Sequence, residues 1–199
     1  WYFPFTTMVT PLAYFMFTRT GTQSMNAIDA NQALFGYRQV KPVDTVLVRA
    51  GLEGFLMTLI VIILCIGGGL FGLDIVPADP LLALAAFCGL WLTGLGFGLI
   101  MSVSSELIPE IGKFIDLFMT PLYFFSGVLF PVSIVPHPYY DWLLLNPLIH
   151  GLEAVRLAFA PDYRVIPELS ISYLYGFALV TIFFGLALHN RFAARLVTQ

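Results

Sequence analysis

"GFLMTLIVIILCIGGGLFGL", residues 54–73, runs from Glu53 to Asp74 without a single charge. As a helix rising 1.5 Å per residue it is about 30 Å long, the thickness of the hydrocarbon core of a bilayer. The whole chain has the same character: 59% of its residues are hydrophobic, 11% are charged and the mean hydropathy is +0.88. Soluble domains carry about 25% charged residues. A soluble fold of 199 residues would need polar side chains to cover its core, and long stretches here supply none. An all-α integral membrane protein is therefore expected. Cys65 and Cys88 both lie in apolar runs and read as small lipid-buried side chains rather than a disulfide or metal pair. The net charge of −3 constrains partners little.

Outward from the 54–73 run, three more stretches qualify as spans. They are bounded by Asp79 and Glu106, by Asp116 and Asp141, and by Glu168 and Arg191. A weaker candidate covers Phe3 to Met25, which contains threonines and Arg19. The spacing thus predicts about five crossings, near 3–25, 51–73, 80–105, 114–136 and 169–190. Residues 137–161 are apolar but broken by Pro147 and carry Glu153 and Arg156, which predicts a re-entrant helical hairpin, since irregular backbone at depth survives only when enclosed in protein. Placing the 26–50 loop, the 106–116 loop and the C-terminus together collects Arg38, Lys41, Arg49, Lys113, Arg191 and Arg195, against Arg156 and Arg164 opposite. That asymmetry makes the richer side cytoplasmic and the hairpin periplasmic. No repeat or linker divides the chain, so one transmembrane domain over 1–199 is expected.

Between the first two spans lies "NQALFGYRQVKPVDTVLVRA", residues 31–50, basic and helix-prone, with a proline inside. It is either a hairpin corner facing headgroups or a docking element for a soluble partner. The longer stretch "AIDANQALFGYRQVKPVDTVLVRAGLE" (27–53), with "IPEIGKFIDLFMTPLYFFSGVLFPVSIVP" (108–136) and "NPLIHGLEAVRLAFAP" (146–161), resembles permease subunits of bacterial ABC-2 type capsular polysaccharide exporters in residues, order and spacing. The resemblance covers nearly the whole chain. Members carry an amphipathic cytoplasmic helix and one further span before this point, so the sequence, beginning at Trp1, reads as a fragment of a six-span permease.

The resemblance implies an inner-membrane, multi-pass homodimer. It would pair with two ABC ATPase subunits and move lipid-linked polysaccharide from cytoplasm to periplasm, toward periplasmic and outer-membrane export proteins. ATP and Mg would sit on the ATPase, because this chain has no G-x-x-x-x-G-K-[ST] phosphate loop. Nucleic acid is not an expected partner, and membrane lipid is. The 26–50 loop would be the ATPase-coupling segment. Its candidate residues are Asn31, Gln32, Phe35, Tyr37, Arg38, Lys41 and Asp44, with Phe35 and Tyr37 as anchors, Arg38 and Lys41 orienting, and Pro42 with Val43 breaking the helix before Asp44 caps the next.

Aromatic rings offer weak, non-directional contact along which a sugar chain can slide. Phe114, Phe118 and Phe125 share one helical face, Tyr123 lies near, and the first span adds Tyr14, Phe15 and Phe17, so these seven are the candidate channel lining. In the hairpin the candidates are Asn146, His150, Glu153 and Arg156, the last two spaced to pair across a turn or, alternatively, to meet emerging sugar. Glu106 and Glu110 mark the end of a span. His137, His150 and His189 are scattered, and no metal site is expected. Gly94-x-x-x-Gly98 and Gly68-x-x-x-Gly72 allow close helix approach within the subunit. Arg19 either snorkels to the cytoplasmic face or lines a wet pathway. Two rival classes remain at this point: an ABC-2 permease for O-antigen, teichoic acid, lipid or drug, and a polytopic membrane enzyme. An enzyme of that kind usually gathers acidic or histidine clusters on one face, and here the acidic residues stand singly.

Overall fold

Asp79 stands just before a helix over Pro80–Leu107 and accepts hydrogen bonds from the Leu81 and Leu82 N–H groups at 3.1 and 3.0 Å. Pro80 at the first helical position lacks an N–H that would otherwise be orphaned, so cap and proline together start the helix around which the others pack. The computed structural model describes residues 3–36, 39–70, 76–108, 110–129, 132, 135, 139–160, 163 and 166–197, and among them every regular element is helical. In chain order these are α1 (Phe3–Met25), a 3-10 helix (Asp29–Gly36), α2 (Pro42–Leu70), α3 (Pro80–Leu107), α4 (Glu110–Phe125), α5 (Tyr139–Leu143), α6 (Pro147–Phe159) and α7 (Ile171–Val197).

Among the described residues three helices, Pro42–Leu70, Pro80–Leu107 and Ile171–Ala193, are long and apolar enough to cross a membrane. In α3 56% of that apolar window is buried, against 17% in α2 and in α7, which makes α3 the centre and the other two its periphery. Its glycines explain how. A Cβ on Gly94 would lie 2.7 Å from the Phe17 carbonyl of α1, and one on Gly98 would lie 2.5 Å from the Ser24 Cβ, so Gly94-x-x-x-Gly98 seats α1 at backbone distance. Gly96 does the same for α7, against Thr181 and the Ile182 N–H, and Gly89 makes room for the Leu174 side chain. On α2, Gly67 and Gly69 face open space, and the partner position Gly72 lies outside the described residues.

Two expectations change. The stretch 114–136 is not one helix: α4 ends at Phe125, and Gly127 takes φ 68°, a left-handed conformation that glycine adopts at no steric cost. With 16 residues, α4 is about 24 Å long and falls short of a full crossing by itself. The 26–50 loop is largely helical, with its 3-10 turn and the first turns of α2. Pro42 opens α2 rather than breaking a helix, and the Asp44 carboxylate reaches back to accept the Lys41 N–H at 3.1 Å, one half of a capping box. Asp44 does cap the helix, from inside its first turn.

Substituting Gly94 by Ala should therefore destabilise the purified protein by about 1–3 kcal/mol, because α1 must move off the new methyl group. Gly67→Ala, with nothing within 4 Å, should be neutral or slightly stabilising. Thermal unfolding of both variants in detergent checks the contrast.

Candidate functional site

Asn146 caps α6: its side-chain oxygen accepts the Leu148 N–H at 3.1 Å, and its amide donates to Ser126 Oγ at 3.1 Å, tying the helix start to the end of α4. One turn on, the His150 ring is buried and fully used. Nδ1 accepts the Ser170 N–H at 3.3 Å, so the other nitrogen carries the proton that meets the Leu144 carbonyl at 3.0 Å, and Tyr173 packs on the ring at 5.2 Å. Glu153 and Arg156 then form an ion pair at 2.6 Å with both side chains enclosed. The Arg156 guanidinium also donates to the Gly127 and Val128 carbonyls, the latter at 3.1 Å, while Glu153 accepts the Val132 N–H at 3.2 Å and the Tyr163 hydroxyl at 2.7 Å. Burial, then the neighbouring Glu153 charge, pushes the Tyr163 hydroxyl well above its ordinary range, so it stays a donor. Tyr140 donates to Glu168 at 2.5 Å, and burial followed by that bond raises it to about 12. The pair across a helix turn is thus real, and it braces the chain reversal after α4. Arg156 is 5% exposed and cannot meet a sugar in this conformation.

At the other end of the bundle, Glu53 of α2 is also enclosed, and two cations converge on it: Arg19 of α1 at 3.3 Å and Arg49, one turn before it, at 3.1 Å. Arg49 also donates to Gln23 at 2.5 Å, and the Trp91 indole of α3 donates to the Ala50 carbonyl at 2.9 Å. Sequence reasoning used Glu53 only as the edge of a span and missed this cluster. Two signals pointed to it: a lone arginine in a span demands a counter-ion, and Arg49 precedes Glu53 by four residues.

The aromatic candidates divide into two groups. Tyr14 and Phe17 are core residues: the Tyr14 hydroxyl donates to the Met119 carbonyl at 3.2 Å, its ring meets Tyr123 edge-on at 5.2 Å, and Phe17 lies 5.8 Å from Phe97. Enclosed by protein, they pack α1 against α3 and α4 instead of lining a wall, and half-buried Tyr123 belongs to the same contact. Phe114, Phe118 and Phe125 are each about two-thirds exposed along α4, and Phe15 is exposed on α1. Ile111, Phe114, Leu117, Phe118 and Pro121 of α4 border, with α3, a shallow cavity of about 520 Å³.

In the 26–50 segment, expected to couple to an ATPase, Phe35 turns inward against the cluster of Ile28, Val46, Ala50 and Leu99, so it fixes the segment to its own bundle and does not project. Leu34 is the exposed apolar side chain beside it. Asn31 donates to the Ala27 carbonyl at 2.7 Å and Gln32 to Asp29 at 3.4 Å, both shaping the 3-10 turn, while Lys41 is exposed. Tyr37 and Arg38 lie outside the described residues.

Comparison with known proteins adds a lineage. Residues 5–160 match the ABC-2 type transporter family. Over 179 residues, 90% of this chain and 69% of the relative, the sequence is 37% identical to the polysialic acid transport protein KpsM of Escherichia coli. It is 29% identical over 181 residues to the capsule polysaccharide export inner-membrane protein CtrC of Neisseria meningitidis serogroup A, covering 89% of this chain and 67% of that one. The corresponding protein BexB of Haemophilus influenzae is 26% identical over 184 residues, 92% of this chain and 69% of that one.

Replacing Arg156 by Met leaves Glu153 buried without its cation, which should cost roughly 3–5 kcal/mol. The double change Glu153→Leu with Arg156→Met should recover much of that loss, as measured by thermal unfolding of the single and double variants.

Proposed function

Because the chain belongs to the ABC-2 type transporter family, we propose that it is the permease subunit of an ATP-driven capsule polysaccharide exporter. It is a multi-pass protein of the bacterial inner membrane. The observation that carries the reading is the 37% identity to KpsM across nine-tenths of the chain, with CtrC and BexB matching over the same extent. The transport subunit does not hydrolyse ATP. That step, with its Mg, belongs to partner ATPases that dock on the basic 26–50 segment, which a buried Phe35 holds rigid while Leu34 and Lys41 face outward. Rigidity is what transmission requires, since a soft segment would absorb the partner's motion.

In this reading α1, α2, α3 and α7 each make a crossing, and α4 begins the fifth. The two short helices α5 and α6 form the periplasmic hairpin. Two copies assemble with two ATPase subunits and face each other across the exposed α4 edge, where Phe114, Phe118 and Phe125 with Phe15 of α1 offer ring faces to a sliding, lipid-linked sugar chain. Periplasmic and outer-membrane export proteins then receive the polymer. The Glu153–Arg156 brace holds the reversal that ends α4, and so keeps the outer end of that edge in place.

With Cys65 and Cys88 replaced by Ser, single cysteines at Asp79 and Tyr139 should react with an impermeant maleimide added outside, and one at Gln39 should not. Labelling of the Gln39 position in intact spheroplasts inverts the topology and removes the coupling segment from the ATPase side. Leu34→Asp with Lys41→Glu should leave the protein inserted yet abolish copurification with its ATPase and stop export. Phe118→Ala should lower export several-fold at normal protein level, whereas Tyr14→Ala should lower the level of folded protein itself. Export by Phe118→Ala equal to that of the parent would assign the α4 rings to packing.

A further inference from the structure

Arg19 and Arg49 carry more hydrogen-bonding capacity than the described residues use. Arg19 is half exposed, and its one hydrogen bond among the described residues runs from Nε to Glu53. Arg49 is 39% exposed, binds Glu53 and Gln23 through one terminal nitrogen, and its Nε is buried without an acceptor. Two guanidiniums share one enclosed carboxylate, so the cluster keeps a net positive charge. It also abuts the start of the apolar 54–73 run, which in the reading above is the inner-leaflet end of that crossing, within reach of lipid phosphates. Unmet guanidinium donors at that depth are costly, and a phosphate oxygen pair satisfies them in the bidentate geometry that arginine favours.

The surface beyond the arginines is apolar and continuous. Leu52, Leu56, Ile60 and Ile63 follow Arg49 at i+3, i+7, i+11 and i+14, one face of α2, and all are exposed. A cationic fork at the foot of an open aliphatic stripe fits a molecule with an anionic head and an extended hydrocarbon tail. We propose that Arg19 and Arg49, oriented by Glu53, bind the phosphodiester of an anionic glycerophospholipid from the inner leaflet, its acyl chains lying along Leu52 to Ile63. The enclosed carboxylate sets both guanidiniums in place before the lipid arrives, so little side-chain ordering is left for binding. The proposal rests on the inward placement of the 26–50 segment in the reading above.

Native mass spectrometry on the detergent-purified permease tests it, with phosphatidylglycerol and diacylglycerol of matched chains as probes. The parent protein should retain one phosphatidylglycerol per chain and no diacylglycerol, and phosphatidylglycerol should raise its unfolding temperature. Arg19→Gln, which leaves the Arg49–Glu53 pair intact, should bind phosphatidylglycerol about tenfold more weakly. Equal retention of diacylglycerol, or unchanged phosphatidylglycerol binding by Arg19→Gln, overturns the site. If Arg19→Gln fails to fold, the comparison of the two lipids on the parent protein still decides. Displacement of the bound phospholipid by purified lipid-linked polysaccharide would assign the cluster to cargo and overturn a resident lipid. Loss of lipid selectivity with export intact rejects this site alone, whereas outside labelling at Gln39 rejects the orientation it depends on.

Discussion

The bundle depends on how closely helices approach α3. Lipid tails are as apolar as leucine, so burying aliphatic surface between helices gains little over leaving it in the bilayer, and association rests on dispersion contact at short range. Glycine supplies that range. Gly94 and Gly98 bring the backbone of α1 against α3, and Gly89 and Gly96 bring α7 against its far side. Were those faces built from larger residues, α1 and α7 would stand off, and everything attached to them would lose its reference.

What is attached includes two enclosed carboxylates. Glu53 lies between α1 and α2, and Glu153 lies on α6 behind the reversal after α4. Each is balanced differently. Glu153 has a single buried arginine that also donates to two backbone carbonyls, and a tyrosine hydroxyl completes it, a network suited to bracing. Glu53 has two arginines that both reach the surface, an open network with donors to spare. The same ion-pair chemistry therefore gives a structural strut at one end and a surface that can still bind at the other.

Packing decides which aromatic rings stay free. Tyr14 and Phe17 are used to hold α1 against α3 and α4, which leaves Phe114, Phe118 and Phe125 as the open edge of α4. It is this edge, and not the enclosed rings of α1, that the proposed function offers to the polymer. In the 26–50 segment, Phe35 is likewise spent on the inner core.

The runs free of charge at 54–73, 80–105 and 169–190 were enough to read a helical membrane protein, because a length and a composition set by the bilayer are local properties of the chain. Family membership was legible in the polar stretches, and so were Gly94 and Gly98 of α3 and the Glu153–Arg156 pair, whose partners lie within one helix turn. The end of α4 at Phe125 was not, since the apolar run continues past it while the helix stops at a turn. Nor were the pairing of Arg19 with Glu53, 34 residues away, and the inward turn of Phe35 and Tyr14. Periodicity marks which residues share a face of a helix, but only the packing of other helices on that face decides whether it meets protein, lipid or cargo.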